Sequence, residues 1–402
     1  MFKGSPYYKL TLLALITMAT SSVGIIQNVS GIFFLPMSLD LNTGIASLSL
    51  SLTLSSLATG FAGPFMMKFM VKKKFVYIMR LGVLITALST ILIALSSNLV
   101  LIYVLSIIRG IATSSFSLAP IMYLIGNWFE EKQGFVTGLV MSFTGITGVI
   151  LNPLVNKIIL LSNWRYALAF TGLFLFFITF VGSFWLKPHP EDRGLSAYGA
   201  KDKEKNITHQ KNLNLNVNFF FIILAIYALL TSSLSSMIQH FPNYSITIGQ
   251  TTSVGAIMVS FAMFGNLLFK FVLGSLSDKI GIIKANFVIL AIYLFSQLSF
   301  NFIPIENSYI LLIFMSFLMG SIYSAVAVGL PLLTKYFYSK EESNIVYASI
   351  TALISMGSSS GIVLMGVIYD VTGSYQLGYL SLMMVEIITI LLLIILIKSR
   401  HS

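Results

Sequence analysis

Twelve runs of about 20 or more mainly apolar residues, parted by short polar stretches, fill this chain from end to end. At about 1.5 Å of rise per residue, each is long enough to cross about 30 Å of hydrocarbon as a helix. The first runs from Leu10 to Pro36 and the last from Tyr375 to Ile397; the fourth, seventh, eighth and tenth extend from Leu99 to Phe129, Phe219 to Ile248, Thr252 to Ser277 and Tyr309 to Phe337. Lipid offers no partner for backbone N–H and C=O groups, so such runs pair them internally as helices. With 56% hydrophobic and 9% charged residues over 402 positions, no soluble core could enclose the apolar surface. The predicted fold class is an all-α membrane protein with twelve transmembrane helices.

Charge placement orients the helices, because Lys and Arg are retained on the cytoplasmic side of short loops. Both ends are basic (Lys3 and Lys9; Lys398 and Arg400), as are the connections after the second (Lys72, Lys73, Lys74), eighth (Lys279, Lys284) and tenth (Lys335, Lys340) spans. The opposite side carries only Lys157 and Arg165. Both termini are therefore expected in the cytoplasm, and the net charge of +11 reflects topology, with no nucleic-acid partner implied. Trp128, Trp164 and Trp185 fall at span ends, where indole rings favour the interface. The first apolar run is too long for a cleavable signal and is expected to stay as a helix. Without cysteine there is no disulfide or thiolate metal site.

The longest polar segment, with Pro188, Pro190 and the mixed charge run Lys201 to Lys205, reads as a linker. It divides the chain into a six-helix half at 1–187, a cytoplasmic linker at 188–216 and a second six-helix half at 217–402. The halves resemble each other at a nearly constant offset. Gly63 through Lys74 matches Gly274 through Lys284, Gln27 matches Gln239, and Trp128-Phe129 matches Tyr336-Phe337.

Gly274-Ser275-Leu276-Ser277-Asp278-Lys279-Ile280-Gly281 resembles the signature loop of the major facilitator superfamily, and the likeness covers essentially the whole chain. That resemblance implies two pseudo-symmetric six-helix halves that alternate access to a central site. Asp278, Gly274 and Gly281 are then expected to act in gating: the glycines by allowing close helix contact, the carboxylate by accepting hydrogen bonds at a neighbouring helix N-terminus. The first-half copy has Met67 and Met70 in place of the Asp and final Gly. Within the superfamily the chain looks most like the monocarboxylate and oxalate/formate branch, on Gly31-Ile32-Phe33-Phe34-Leu35-Pro36, Asn127-Trp128-Phe129-Glu130-Glu131-Lys132-Gln133-Gly134 and Asn163-Trp164-Arg165-Tyr166-Ala167. Branch members carry an Arg four residues before the signature Gly; here Lys270 stands there, which implies a carboxylate-binding role.

Independently of the resemblance, Lys270 lies about 12 Å inside the eighth span, beyond the reach of a stem of about 6 Å. A charge at such depth costs about 2.5 to 3.5 kcal/mol and marks a ligand path. Arg109, roughly 15 Å deep in the fourth span, is either a second anion contact or a strut between helices. Gln27, Asn28, Gln239 and His240, toward the outer ends of spans one and seven, are candidates for substrate contact or outer closure, or else a satisfied polar belt. Glu386 is the only acidic residue deep in a span and reads as structural or as a proton site. Asp40, Glu306 and Asp370 are expected to be solvated in outer loops. Ser47, Ser51, Ser55, Thr59 and Gly63 recur every four residues and suit close packing of span two.

The predicted function is secondary active transport of small organic anions, proton-coupled or by exchange, by a monomer in the cell membrane; the alternative is a multidrug or other small-molecule efflux carrier of the same superfamily. Enzymatic activity is not expected, and no cofactor or metal is implied. No nucleotide loop or metal-ligand cluster is visible, and His189, His209, His240 and His401 are scattered.

Overall fold

A computed structural model describes residues 5–72, 74–131, 133–200, 219–302, 308–338 and 340–401. Lys3, Lys73, Glu306, the charge run Lys201 to Lys205 and the rest of the linker beyond Ala200 lie outside the described residues. Among the described residues, twelve helices are long and apolar enough to cross a membrane.

Eight spans are continuous: α3 (Ile45–Lys72), α4 (Phe75–Leu95), α7 (Gln133–Leu161), α8 (Trp164–Gly182), α11 (Thr252–Ile280), α12 (Ile282–Phe302), α16 (Lys340–Thr372) and α17 (Gln376–His401). The first, fourth, seventh and tenth are each interrupted near mid-length. Span one runs as α1 (Tyr7–Ala19), a π-helical turn (Thr20–Ile25), a 3-10 turn (Ser30–Phe33) and α2 (Phe34–Leu41). Span four is α5 (Leu99–Thr113) followed by α6 (Leu118–Trp128), and span seven is α9 (Phe219–Ser233) followed by α10 (Ser236–Thr247). Span ten passes from α13 (Tyr309–Met319) through α14 (Ile322–Ser324) and a π-helical turn (Ala325–Gly329) into α15 (Leu330–Phe337). Proline has a part in this. Pro36, Pro120 and Pro331 fall in the first turn of the segment after the interruption, where a missing N–H costs nothing, but each denies the preceding turn a hydrogen bond.

Contacts gather the chain into two compact units: Met1–Ser30 with Leu54–Leu151 and Ile158–Lys211, and Gly31–Thr53 with Asn152–Lys157 and Asn212–Ser402. The core of the first is built by Leu12, Leu15 and Met18 of α1, Met79 and Val83 of α4, Leu124 and Trp128 of α6, and Val136 and Val140 of α7. Phe61, Phe65 and Phe69 of α3 stand one turn apart and exposed, an apolar stripe suited to lipid.

The start of the segment read as a linker is folded onto this unit. The Trp128 indole donates to the Lys187 carbonyl (2.8 Å), the Tyr198 N–H to the Trp128 carbonyl (2.8 Å), and the Tyr8 hydroxyl to the Ser196 carbonyl (2.8 Å). The Arg193 guanidinium lies 4.1 Å from the centre of the Tyr7 ring. Trp128 and Trp164 are both buried within the protein. Trp128 is covered by this segment, and Trp164 carries the Arg165 guanidinium on its face at 4.4 Å.

In the second unit, α11 crosses span ten at its interruption with two glycines in contact. A Cβ on Gly265 would overlap the Phe317 carbonyl, and one on Gly320 would overlap the Ala262 carbonyl and the Asn266 amide nitrogen. Only hydrogen side chains let these backbones approach so closely.

Candidate functional site

The interruptions are the natural place to look for a site, because broken spanning helices leave backbone groups that must find new partners. Hydroxyls supply many of them. The triplet Thr20-Ser21-Ser22 recurs as Thr113-Ser114-Ser115 and Thr231-Ser232-Ser233, each at a break. Ser22 donates to the Met18 carbonyl (2.7 Å), Thr113 to Arg109 (2.7 Å), Ser115 to Ala112 (2.8 Å), Ser232 to Leu229 (2.9 Å) and Ser233 to Leu230 (2.8 Å). Such back-bonding competes with the helical ladder and bends it. Hydropathy and charge alone miss these joints, although the Thr-Ser-Ser triplets signal them.

In the first unit, Arg109 sits on the last turn of α5, buried, with its Nε donating to the Ser55 hydroxyl at 3.4 Å. Next to it the Thr59 hydroxyl donates to the Gly110 carbonyl at 2.9 Å. The four-residue repeat of span two thus meets span four through Ser55 and Thr59, which fits the strut reading of Arg109. The Asn28 amide donates to the Thr144 carbonyl of α7 at 2.9 Å and is buried. Gln27 is half-buried, and its side chain has no hydrogen-bond partner among the described residues.

Lys270 lies in the second unit. On α11 the buried residues Val259, Met263 and Asn266 precede it on one face, while Phe261, Phe264, Leu268, Phe271 and Val272 form the exposed face. At 100° per residue Lys270 falls within the buried sector, beside Asn266 one turn earlier. It is half-buried, about 15 Å from the Ile280 end of the helix by helical rise. Among the described residues its ammonium has no hydrogen-bond or carboxylate partner. The Asn266 Oδ1 is buried and likewise unpaired among them.

Gln239 and His240 stand on α10. The Gln239 Oε1 accepts from the Gly31 N–H at 3.1 Å. His240 is fully enclosed. Its Nε2 lies 2.9 Å from the Ile362 carbonyl, which only accepts, so Nε2 carries the proton and Nδ1 accepts from the Tyr375 hydroxyl at 3.0 Å. Asn243 donates to the same hydroxyl at 2.8 Å. Every polar atom of the imidazole is used, as a satisfied polar belt requires.

Asp370 corrects an expectation. It is exposed, yet its carboxylate is not simply solvated: it accepts from the N–H groups of Ile45 (3.0 Å) and Ala46 (2.9 Å), the first residues of α3. A carboxylate there satisfies orphan donors and complements the helix dipole. Asp370→Ala should lower stability by about 1 kcal/mol, less at high salt, read as a fall in the unfolding temperature of the detergent-solubilised protein. An unchanged temperature at low salt would contradict this role.

The residues expected to act in gating are less engaged. Asp278 is exposed and makes no hydrogen bond or ion pair among the described residues. Gly274, expected at a close helix contact, faces open space. Gly281 has a clear structural role, since its φ of +82° makes the turn from α11 into α12, a conformation that side chains rarely adopt.

Comparison with known proteins agrees with this architecture. The family model described as Major Facilitator Superfamily matches residues 11–361 and 252–402. The chain is 23% identical over 342 residues to monocarboxylate transporter 12 of Rattus norvegicus, covering 75% of this chain and 67% of that protein. It is 20% identical over 201 residues to the MFS-type transporter pytF of Aspergillus terreus, covering 50% and 65%. Among solved structures, the nucleoside transporter NupG superposes with a TM-score of 0.73 at 12% identity, over 98% of this chain and 100% of that one. A bacterial homolog to the human lysosomal transporter Spinster gives 0.69 at 14% identity, over 98% and 96%. Twelve apolar helices among the described residues, four of them broken at recurring positions, and a family match along the chain lead to one conclusion: this multi-pass membrane protein belongs to the major facilitator superfamily and is a transporter, not an enzyme.

Proposed function

We propose that this secondary transporter carries small organic anions of the monocarboxylate type, with Lys270 as the group that holds the carboxylate. One observation carries the reading: a half-buried ammonium deep in span eight, on the protein-facing side of its helix and without a carboxylate partner among the described residues. A lone cation at low dielectric attracts an anion strongly and resists enclosure until one arrives. Binding neutralises it, so the loaded carrier closes more readily than the empty one, and that difference couples the substrate to the conformational change. The likeness to monocarboxylate transporter 12 supports the same class. Arg109 acts in this reading as a strut to span two, and His240 as part of the fixed frame. The protein works as a monomer in the cell membrane with both termini in the cytoplasm, the side favoured by its basic loops.

The test is uptake of labelled lactate, pyruvate, formate and oxalate by the purified protein in liposomes, with and without an inward-acid pH gradient. Saturable uptake of at least one, inhibited by the others, is the expected result. No uptake of any of them, with transport of a cationic or neutral drug instead, would transfer the protein to the efflux class.

A further inference from the structure

The second compact unit takes in parts of both sequence halves. Gly31–Thr53 and Asn152–Lys157 come from the first half, yet their contacts place them with spans seven to twelve. They are the end of span one, the start of span two and the end of span five. Because successive spans run in opposite directions, all three lie on the face of the membrane opposite the loop between spans two and three. Each is tied to a span of the second half. The Gly31 N–H donates to Gln239 (3.1 Å), the Asn156 amide to the Ser253 hydroxyl (3.1 Å) and the Thr53 hydroxyl to the Ser359 carbonyl (2.9 Å).

The join of span two to span eleven is the most developed. Ala46, Ser49 and Thr53 follow one another at three- and four-residue steps along α3, and Ser359, Gly366 and Asp370 at seven- and four-residue steps along α16, so each set lies on one face. Midway the two helices nearly touch: a Cβ on Gly366 would lie 2.8 Å from the Ala46 Cα and 2.9 Å from the Ser49 hydroxyl oxygen. At the end of the join, Asp370 Oδ1 accepts from the Ile45 N–H and Oδ2 from the Ala46 N–H, and a Cβ on Gly44 would overlap the same carboxylate. One charged group thus holds two amides at the positive end of a 28-residue helix, whereas the three ties above join neutral groups.

The end of α16 is itself braced. Tyr369 stacks on Tyr375 with 4.8 Å between ring centres, and the Tyr375 hydroxyl bonds to His240 and Asn243 of α10. The buried belt around His240 therefore fixes the stretch of backbone that carries the carboxylate.

We infer that Asp370 is a latch: its carboxylate keeps the start of span two closed on the end of span eleven, and both bonds are released together when this face of the carrier opens. Asp370 is exposed at the edge of the join, so on release the carboxylate and the two amides exchange each other for water, which keeps the latch reversible. Weakening it shifts the population toward the open face. The inference rests on the reading of the protein as a carrier that changes conformation, and is independent of Lys270 and of which solute is carried.

The chain contains no cysteine, so a single introduced thiol reports its own surroundings. Ser49→Cys places one at the join, where Ser49 is fully buried and its hydroxyl bonds within its own helix, to the Ala46 carbonyl. Ser316→Cys is the control, equally buried and bonded to Leu312 within α13. Maleimide labelling is followed on the full-length protein in detergent, without substrate and well below the unfolding temperature, where it reports local opening. Asp370→Ala is expected to speed labelling at position 49 about fivefold, the effect of losing one helix cap, and to leave position 316 unchanged. Asp370→Asn, which keeps one of the two acceptors, should fall between. Thr53→Val, which keeps the shape and removes the hydroxyl bonded to Ser359, should also speed position 49 alone, and decides the matter if the alanine variant does not fold. An unchanged rate at position 49, or an equal rise at position 316, overturns the latch. Either failure leaves the anion reading of Lys270 standing, and failure of liposome uptake leaves the latch standing.

Discussion

Lys270→Ala is expected to abolish uptake of every anionic substrate, while Lys270→Arg keeps part of it. The alanine variant loses the ammonium that, in the proposed function, holds the substrate carboxylate. Truncating one partner of a buried charge pair costs about 2 to 5 kcal/mol, a loss of roughly 30-fold to several thousand-fold in affinity. Arginine keeps the positive charge but presents a planar fork in place of a compact ammonium, so fit suffers more than attraction. The measurement is initial uptake in liposomes at matched protein content, with elution profiles confirming that both variants are folded. Equal rates for wild type and Lys270→Ala would remove the residue from the site.

The second large effect is on stability, and it contrasts the two glycines of the span eight–span ten crossing with a third glycine on α11. Gly265→Ala or Gly320→Ala sets a methyl group onto backbone atoms of the facing helix, which cannot rotate away. Spans eight and ten must then separate, at a cost of about 1 to 3 kcal/mol, the usual range for overpacking. Gly274→Ala, nine residues beyond Gly265 on α11, meets nothing within 4 Å and gains the helix propensity of alanine. Thermal unfolding in detergent should therefore fall for the first two and hold or rise for the third. A fall of the same size in all three would mean that the crossing is not the tight contact described. The crossing lies little more than one turn before Lys270, so loosening it also displaces that side chain.

The spans are legible in the sequence because lipid imposes a simple rule, an apolar run of sufficient length, and this chain obeys it twelve times among its described residues. The depth of Lys270 follows from counting along such a run. Hydropathy is blind to the interruptions, since serine and threonine are too small and too mildly polar to break an apolar average. It is their hydrogen bonds to the preceding turn, as at Thr113 and Ser232, that bend the helix, together with the prolines that follow three of the breaks. Asp370 reads as solvated from sequence because its partners, the first amides of α3, lie more than 300 residues away in the chain. His240 looks like a free imidazole for the same reason: Ile362 and Tyr375, which use its two nitrogens, are distant in sequence. The docking of residues 187–200 is hidden behind their polarity, which resembles that of any connector.

That docking alters how the first turn of α1 should behave. A helix's first turn normally frays when nothing holds it. Here Tyr7 stacks under Arg193 and Tyr8 bonds to Ser196, so the opening turn is clasped by the length of chain that leaves the sixth helix. The first turn of α1 and the segment that follows the sixth span hold each other, and neither peels away until that clasp opens. Local opening at that edge is thereby raised from the energy of a loose end toward that of the bundle itself.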